Sequence, residues 1–211
     1  MEFVKQANRV KSATIIKNLK KRGMEGFYCE TKEEAKDLVM SFIDKDAVVS
    51  WGGTFSIEEA GIKDALKENN IKVIDRDTAK SPGERMQLMR EALLSDVFLS
   101  STNAITMDGE LLNIDGMGNR VAALCFGPNS VIILAGMNKV VADLDSALSK
   151  ARLDATVPNS IRYDSKTPCA VTGVCSECLT PTTLCGKILV TRYSKPDNRI
   201  KVVLVEEELG F

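Results

Sequence analysis

The segment 47-AVVSWGGTFSIEEAGI-62 gives the strongest indication of the fold class, because it holds a complete strand–turn–helix unit. Residues 47–51 form a short apolar run of the kind found in buried strands, and Gly52-Gly53 ends that run with a sharp turn. The pattern Ser56-x-x-Glu59 is that of a capping box and predicts a helix over residues 57–68. A strand that turns directly into a helix is typical of a parallel α/β sheet.

The same alternation continues on both sides of this unit. Further helices are predicted at 2–22, after Thr31, after Ser81 and over 143–155, and further strands at 26–29, 71–74, 97–100 and 130–135. Asp108-Gly109 predicts a hairpin between two short strands. Strands at 187–193 and 199–206, joined by a turn at 195–198, close the chain, so we expect a parallel sheet with helices on its faces.

Composition limits the class of protein. A chain of 211 residues with 44% hydrophobic residues can form one domain whose core needs no disulfides. The N-terminus lacks the apolar region of a signal peptide, and no run of about 18 apolar residues exists, so we expect a cytoplasmic protein with no membrane span. The net charge of −1 argues against nucleic-acid binding, and the basic residues before Gly23 are interpreted as a solvated helix face.

The chain contains no histidine, which excludes several kinds of catalysis. A Ser-His-Asp triad, a Cys-His dyad and imidazole-ligated zinc all require that residue. Any proton transfer must therefore use a carboxylate, Lys, Cys, Tyr or a bound cofactor.

Polar side chains and glycines gather in three segments that follow predicted strands. The first is 51-WGGTFSIEEAG-61, where Glu59 has a capping role and Glu58 is the freer carboxylate. The second is 101-STNAITMDGELLNIDGMGNRVAAL-124, in which Arg120 begins a helix, a position that disfavours a cation unless an anion or a carboxylate lies beside it. The third is 135-AGMNKVVAD-143. Ligands of α/β sheets bind beyond the carboxyl ends of strands, so the three segments predict one binding site.

These segments, together with 130-SVIILAGMNKVVADLDSAL-148 and the terminal ELGF, resemble the lactate-utilisation (LUD) domain family from about residue 45 onward. The resemblance implies a single LUD-like α/β domain over 1–211, with an N-terminal helix at 1–22 and a cysteine-containing loop at 156–187. It implies a Rossmann-like, mostly parallel sheet with flanking helices and a small antiparallel excursion, similar to the sugar-phosphate isomerase and CoA-transferase fold.

The resemblance also implies which positions line the site. The matching positions are Gly52, Gly53, Thr54, Glu59, Asn103, Ala104, Thr106, Asp115, Gly116, Asn119, Arg120, Gly136, Asn138 and Lys139. We expect Arg120 and Lys139 to bind an anionic ligand, and Asp115, Glu58 or Glu59 to handle protons because no histidine can. The glutamate motif of CoA transferases and the Asp-Gly-Ala-Asp-Glu run of pentose-phosphate isomerases are missing, which disfavours both activities.

Four of the six cysteines lie in 169-CAVTGVCSECLTPTTLC-185, namely Cys169, Cys175, Cys178 and Cys185. Four thiolates can hold a zinc ion or a [4Fe–4S] cluster, and the spacing matches neither a zinc ribbon nor a bacterial ferredoxin. A redox dithiol at Cys175 and Cys178, and buried thiols without a metal, stay open as alternatives. We expect a metal, and the redox association of the family favours an iron–sulfur cluster over zinc.

Two functions follow as hypotheses. In the first, the chain is a component of an iron–sulfur oxidoreductase system for lactate, or a similar small hydroxy acid, and binds a small anionic ligand or cofactor. Partner subunits of a redox complex are then expected, and a homo-oligomer stays open. In the second, the chain is a non-catalytic ligand-binding or scaffolding module with a structural four-Cys zinc site.

Overall fold

The computed structural model describes residues 2–211 and contains two sheets. The larger sheet has six strands in the order β1-β10-β7-β4-β2-β3, and every neighbouring pair in it is parallel. The strands of the chain are β1 Glu25–Cys29, β2 Val48–Trp51, β3 Lys72–Ile74, β4 Val97–Ser100, β5 Ala104–Thr106, β6 Leu111–Asp115, β7 Ser130–Gly136, β8 Val140–Val141, β9 Lys187–Thr191 and β10 Ile200–Val205.

Helices cover both faces of the larger sheet, which explains the unbroken apolar run of β7. Ile132 and Leu134 belong to a core cluster with α2 and α4, whereas Val131 and Ile133 belong to a second cluster with α1 and α6. The helices are α1 Glu2–Lys21, α2 Lys32–Ser41, α3 Ser56–Glu59, α4 Ile62–Glu68, α5 Pro82–Glu91, α6 Asn119–Cys125, α7 Leu144–Lys150, α8 Thr156–Arg162 and α9 Pro168–Thr172. The described helices include none long and apolar enough to cross a membrane.

The smaller sheet is the predicted antiparallel excursion. Its four strands lie in the order β8-β5-β6-β9, and β6 pairs antiparallel with both β5 and β9. The hairpin between β5 and β6 turns at Gly109, whose φ of +83° favours glycine. The predicted fold class, a mostly parallel α/β sheet with a small antiparallel addition, is confirmed.

The structure corrects two predicted elements around the opening segment. The helix predicted over 57–68 is divided into α3 and α4 at Gly61, where the backbone adopts a left-handed φ of +68°. The capping box at Ser56 is wrong: Phe55 takes the N-cap position, and the Ser56 hydroxyl bonds to Ser101 and Leu209.

The structure also corrects the C-terminal third of the chain. The helix expected to stop before Pro158 continues through a π-helical turn at Ala151–Ala155 into α8, and α9 follows inside the region expected to be a loop. A wider turn before the proline places its ring in the first turn of α8, where proline is tolerated. The two last strands belong to different sheets, β9 beside β6 and β10 between β1 and β7.

Candidate functional site

A cavity of about 750 Å³ opens at the carboxyl ends of the parallel strands, and we call it the strand-end cavity. Residues that follow β2, β3, β4 and β7 line one side of it, and α8 with the end of β6 lines the other. Gly210 and Phe211, which follow β10, close one edge. This is the place where α/β sheets generally bind ligands, because successive strand ends converge there.

The charge of the lining is strongly positive. Its basic members are Arg76, Arg85, Arg120, Lys139, Arg162 and Lys166, and its acidic members are Asp115 and Asp164. Asp164 pairs with Lys166, Asp115 with Arg120, and Arg85 with Asp77, which lies outside the lining. The remaining basic groups, Arg76, Arg162 and Lys139, give the cavity a net positive potential.

Arg120 is bound by the protein itself. Its Nη1 donates to Asn113 Oδ1 at 2.7 Å and to the Ser101 carbonyl at 3.2 Å. Its Nη2 donates to the Ile114 carbonyl at 2.6 Å, and its Nε lies 3.7 Å from Asp115 Oδ2. The carboxylate expected beside this cation at a helix start is Asp115, and the other partners are oxygen atoms of the chain. Arg120 thereby links α6 to the smaller sheet.

Two other guanidinium groups converge on Gly53. A Cβ atom at that position would lie 2.7 Å from Arg76 Nη2 and 3.7 Å from Arg162 Nη2. The only carboxylate near Arg76 in the described chain is Asp77, at 3.9 Å, and Arg76 Nε is buried without a hydrogen-bond partner there. Arg162 lies over the Phe55 ring at 4.7 Å and, within residues 2–211, forms no ion pair with a carboxylate.

Lys139 reaches the inner end of the cavity from the turn after β7. It is 3% exposed, and its Nζ donates to Ser101 Oγ at 2.9 Å and to Ser56 Oγ at 3.2 Å. Burial, reinforced by the Arg120 charge, lowers the pKa of Lys139 to about 7, although Glu59 opposes the shift. The Lys139 amine therefore loses its proton more readily than an exposed lysine does.

The cavity brings together about half of the predicted site residues. Those lining it are Gly53, Thr54, Asn103, Asp115, Gly116, Asn119, Arg120 and Lys139. Asn119, with its amide oxygen turned toward the donors, accepts from Arg76 Nη1 at 2.8 Å. The Thr54 hydroxyl is buried and lacks a partner in the described structure. Asp115 accepts from the amide of Gly118 at 2.9 Å.

Other predicted site residues lie outside the lining and have local partners. Glu58 is exposed and pairs with Lys63 at 3.4 Å. Glu59 accepts from the Gly210 amide at 2.7 Å, and Asn138 bonds to the backbone of Leu209 and Gly210, so both dock the C-terminal segment. Thr106 accepts from the Glu110 amide inside the hairpin. Of the carboxylates expected to transfer protons, Asp115 and Glu59 therefore accept hydrogen bonds from backbone amides, whereas Glu58 pairs with a lysine.

Four residues of the cavity were not predicted as site residues from the sequence: Arg76, Arg162, Ser56 and Ser101. Arg76 lies two residues after the end of β3, so the rule that ligands bind beyond strand ends would have found it. Arg162 lies in α8, a helix that the position of Pro158 concealed. Ser56 was predicted to cap a helix, and no role was predicted for Ser101.

The four clustered cysteines influence one another but do not form a compact set of ligands. Burial raises the pKa of the Cys185 thiol, its hydrogen bond with Thr156 lowers that pKa, and the charges of Cys175, Cys169 and Cys178 raise it further. Among residues 2–211, no three His, Cys, Asp or Glu side chains lie close enough together to hold a metal ion. All six cysteines are free thiols, and the four-Cys metal centre stays a prediction.

The fold and the site together define an α/β protein with a cationic cavity at the ends of its parallel strands. The model of the LUD domain matches residues 13–205, and the chain therefore belongs to the LUD domain family, as the resemblance implied. The family is associated in general terms with lactate utilisation. No curated protein matches the sequence.

Two solved structures are similar to the chain. The crystal structure of a DUF162 family protein from Deinococcus radiodurans is 12% identical, with 94% of this chain and 97% of that chain covered and a TM-score of 0.52, which shows a common fold. A ribose 5-phosphate isomerase A from Methanocaldococcus jannaschii is 15% identical, with 63% and 62% covered and a TM-score of 0.33.

Proposed function

We propose that the chain binds a small anionic hydroxy or oxo acid in the strand-end cavity, as a component of an iron–sulfur oxidoreductase system for lactate utilisation. The observation that carries the proposal is the convergence of Arg76 and Arg162 on Gly53. The general association of the family with lactate utilisation supports the choice of ligand class.

Electrostatics favours an anion between the two guanidinium groups. Like charges separated by a few ångströms repel, and neither Arg76 nor Arg162 has a carboxylate within hydrogen-bonding distance in the described chain. A carboxylate placed between them would relieve the repulsion and accept charge-assisted hydrogen bonds from planar donors. Gly53 leaves the space for such a group, because any side chain there would meet Arg76.

The size of the cavity bears on what else it holds. A volume of about 750 Å³ lies within the range of sites for drug-sized ligands and exceeds what a three-carbon acid fills. The cavity therefore has room for a larger cofactor beside the acid.

The four cysteines suit an iron–sulfur cluster in their chemistry, since the cluster takes thiolate ligands. Their present arrangement does not suit it, because no three of the described donors lie close enough together. A centre held by Cys169, Cys175, Cys178 and Cys185 would require the loop between α9 and β9 to contract. The proposal consequently places no electron-transfer step on this chain.

Isothermal titration calorimetry with L-lactate and with pyruvate tests the proposal. We expect saturable binding by the wild type and a loss of affinity of about tenfold or more in Arg162→Met, since a charge-assisted hydrogen bond contributes about 1.5–3 kcal/mol. Arg9→Met is the matched control, because Arg9 is a paired surface arginine on α1 outside the cavity. Equal affinities of the wild type and Arg162→Met, or no binding of either acid, would overturn the proposal.

A further inference from the structure

Lys139, Ser56 and Ser101 form a buried polar cluster at the inner end of the strand-end cavity. The three side chains come from different elements, the turn after β7, helix α3 and the end of β4, and Ser56 Oγ also lies 3.2 Å from Ser101 Oγ. Ser56 is in turn held by the Leu209 carbonyl at 3.3 Å. The cluster thus fixes the position of the Lys139 amine relative to the cavity.

A lysine that served only the fold would need better compensation for its charge. An ammonium group has three N–H donors, and here only two neutral hydroxyl oxygens accept. Within residues 2–211 no carboxylate lies within 4.0 Å of Nζ. The charged groups that act on it are Arg120 and Lys150, which disfavour protonation, and Glu59, which favours it. A buried amine beside another cation is the arrangement that activates a lysine as a nucleophile.

Gly210 keeps the amine clear of side chains on one side. A Cβ atom at that position would lie 3.4 Å from Lys139 Nζ and 2.9 Å from Ser56 Oγ. The φ of Gly210 is +57°, so a larger residue would also strain the backbone. Lys139, both serines and Gly210 all belong to the lining of the cavity, which makes the amine a group that a bound ligand can meet.

We propose that Lys139 is a nucleophilic amine that forms a reversible imine with the carbonyl carbon of an anionic oxo acid bound in the strand-end cavity. The class of ligand rests on the proposed function, whereas the nucleophile rests on the cluster itself. The basic residues of the cavity lining would hold the anionic group, and the hydroxyls of Ser56 and Ser101 lie beside the reacting amine.

The reaction balances without an oxidant or a reductant. The lone pair of the uncharged Nζ attacks the carbonyl carbon, and the carbonyl oxygen takes up a proton to give a carbinolamine. Loss of that hydroxyl group as water, with the second N–H proton, forms the C=N bond. Ser101 and Ser56 are placed to pass these protons because both hydroxyls lie within 3.2 Å of Nζ.

Reductive trapping tests the proposal. The full-length protein is incubated with pyruvate and sodium cyanoborohydride, and the adduct is located by intact-mass measurement and peptide mapping. We expect one dominant adduct, on Lys139, that falls by roughly 100-fold in Lys139→Arg, which keeps a cation but lacks the nucleophile. Lys63→Arg is the matched control, since Lys63 is a surface lysine over the Trp51 ring, and it should be trapped like the wild type.

The pH profile separates this lysine from surface lysines. We expect the rate of trapping at Lys139 to fall about tenfold per pH unit below about pH 7, because only the uncharged amine reacts. The profile of surface lysines should keep rising well above that pH. Saturable calorimetric binding of pyruvate with no preferential adduct at Lys139 at any pH would overturn the imine and leave the proposed function intact.

A second probe decides the matter if pyruvate does not bind. Formaldehyde with cyanoborohydride methylates amines without needing an anion site. Faster methylation of Lys139 than of the surface lysines at pH 7 would support the nucleophilic amine while the proposed function fails. A Lys139 that is methylated no faster than they are would overturn the inference.

Discussion

Arg120 has a different task from the one its position in the sequence suggests. The guanidinium lies between Asn113, Asp115 and two carbonyl oxygens, so its removal takes a charged donor away from buried acceptors and leaves the Asp115 carboxylate without its cation. We expect Arg120→Met to lower the free energy of unfolding by about 3 kcal/mol or more, as measured by urea denaturation.

Arg9→Met is the control for Arg120→Met and should change the free energy of unfolding by less than about 0.5 kcal/mol, since Arg9 forms an exposed ion pair with Glu30. An Arg120→Met variant that is as stable as the wild type but fails to bind pyruvate would contradict the structural role of Arg120 and restore it as a ligand residue.

Lys139 should make stability depend on pH in a defined direction. Its pKa is about 7 in the folded protein, below the value of 10.5 of a free lysine, so between these limits the unfolded chain binds more protons. The free energy of unfolding therefore rises as pH increases from about 7, by at most about 1.4 kcal/mol per pH unit from this group.

The comparison of the wild type with Lys139→Met isolates that effect, because all other titrating groups are common to both proteins. We expect the free energy of unfolding of the wild type, minus that of the variant, to increase between pH 7.5 and 9.5 in urea titrations. A difference that stays constant over this range would mean that Lys139 titrates normally.

The sequence predicted Arg120 and Lys139 as ligand-binding residues but did not predict which groups they contact. Both are cations beside strand ends. The structure distinguishes them by their partners, since Arg120 has a carboxylate beside it and Lys139 has two neutral hydroxyls. Arg162 carried no local signal of its own, whereas Arg76 could have been identified from its place just after β3. The two become conspicuous as a pair only because the fold brings both to Gly53.

The turn between β2 and α3 should control ligand affinity without controlling stability. In Gly53→Ala the new Cβ would meet Arg76 Nη2, the far end of a flexible side chain that can shift. We expect pyruvate affinity to fall about fivefold to tenfold and the free energy of unfolding to change by less than about 1 kcal/mol. Calorimetry and urea denaturation measure the two quantities.

Gly83→Ala is the matched control. Gly83 lies in helix α5, and a Cβ atom there would lie 4.0 Å from Ser81 Oγ, which is an ordinary contact distance. It should leave affinity unchanged and raise stability by a few tenths of a kcal/mol to about 1 kcal/mol. Loss of stability in Gly53→Ala comparable with its loss of affinity would instead indicate a strained turn.

Strong local signals predicted individual elements well, and their connections less well. Thr31 and Ser81 accept from the amides three residues on, as their capping patterns indicate, and Asp108-Gly109 forms the hairpin turn. Ser56 failed as a cap because a tertiary partner, Ser101, competes for its hydroxyl. Pro158 failed as a helix terminator because the π-helical turn before it accommodates its ring.

Whether the four clustered cysteines hold an iron–sulfur cluster bears on whether the protein takes part in electron transfer. We expect protein purified without oxygen to show a broad visible band that bleaches with dithionite, and about four irons per chain, if the loop between α9 and β9 closes around a cluster. A colourless protein with one zinc per chain would instead indicate a structural centre. Cys125→Ser is the control, since the exposed Cys125 lies outside the four-cysteine segment.

The architecture of the whole chain was predictable because each level of the sequence indicates the same fold. Apolar runs such as 130–135, glycine turns and capped helices alternate along the chain, and the parallel sheet buries those runs on both faces. The order of the strands was not predictable, since the placement of β10 between β1 and β7 depends on contacts remote in sequence.

A crystal structure of the protein with pyruvate would show where the anion lies. We expect the carboxylate between the guanidinium groups of Arg76 and Arg162, beside Gly53, with the carbonyl carbon directed toward Lys139 Nζ. Pyruvate bound elsewhere, or a strand-end cavity without ligand at concentrations that saturate the protein in solution, would contradict this placement.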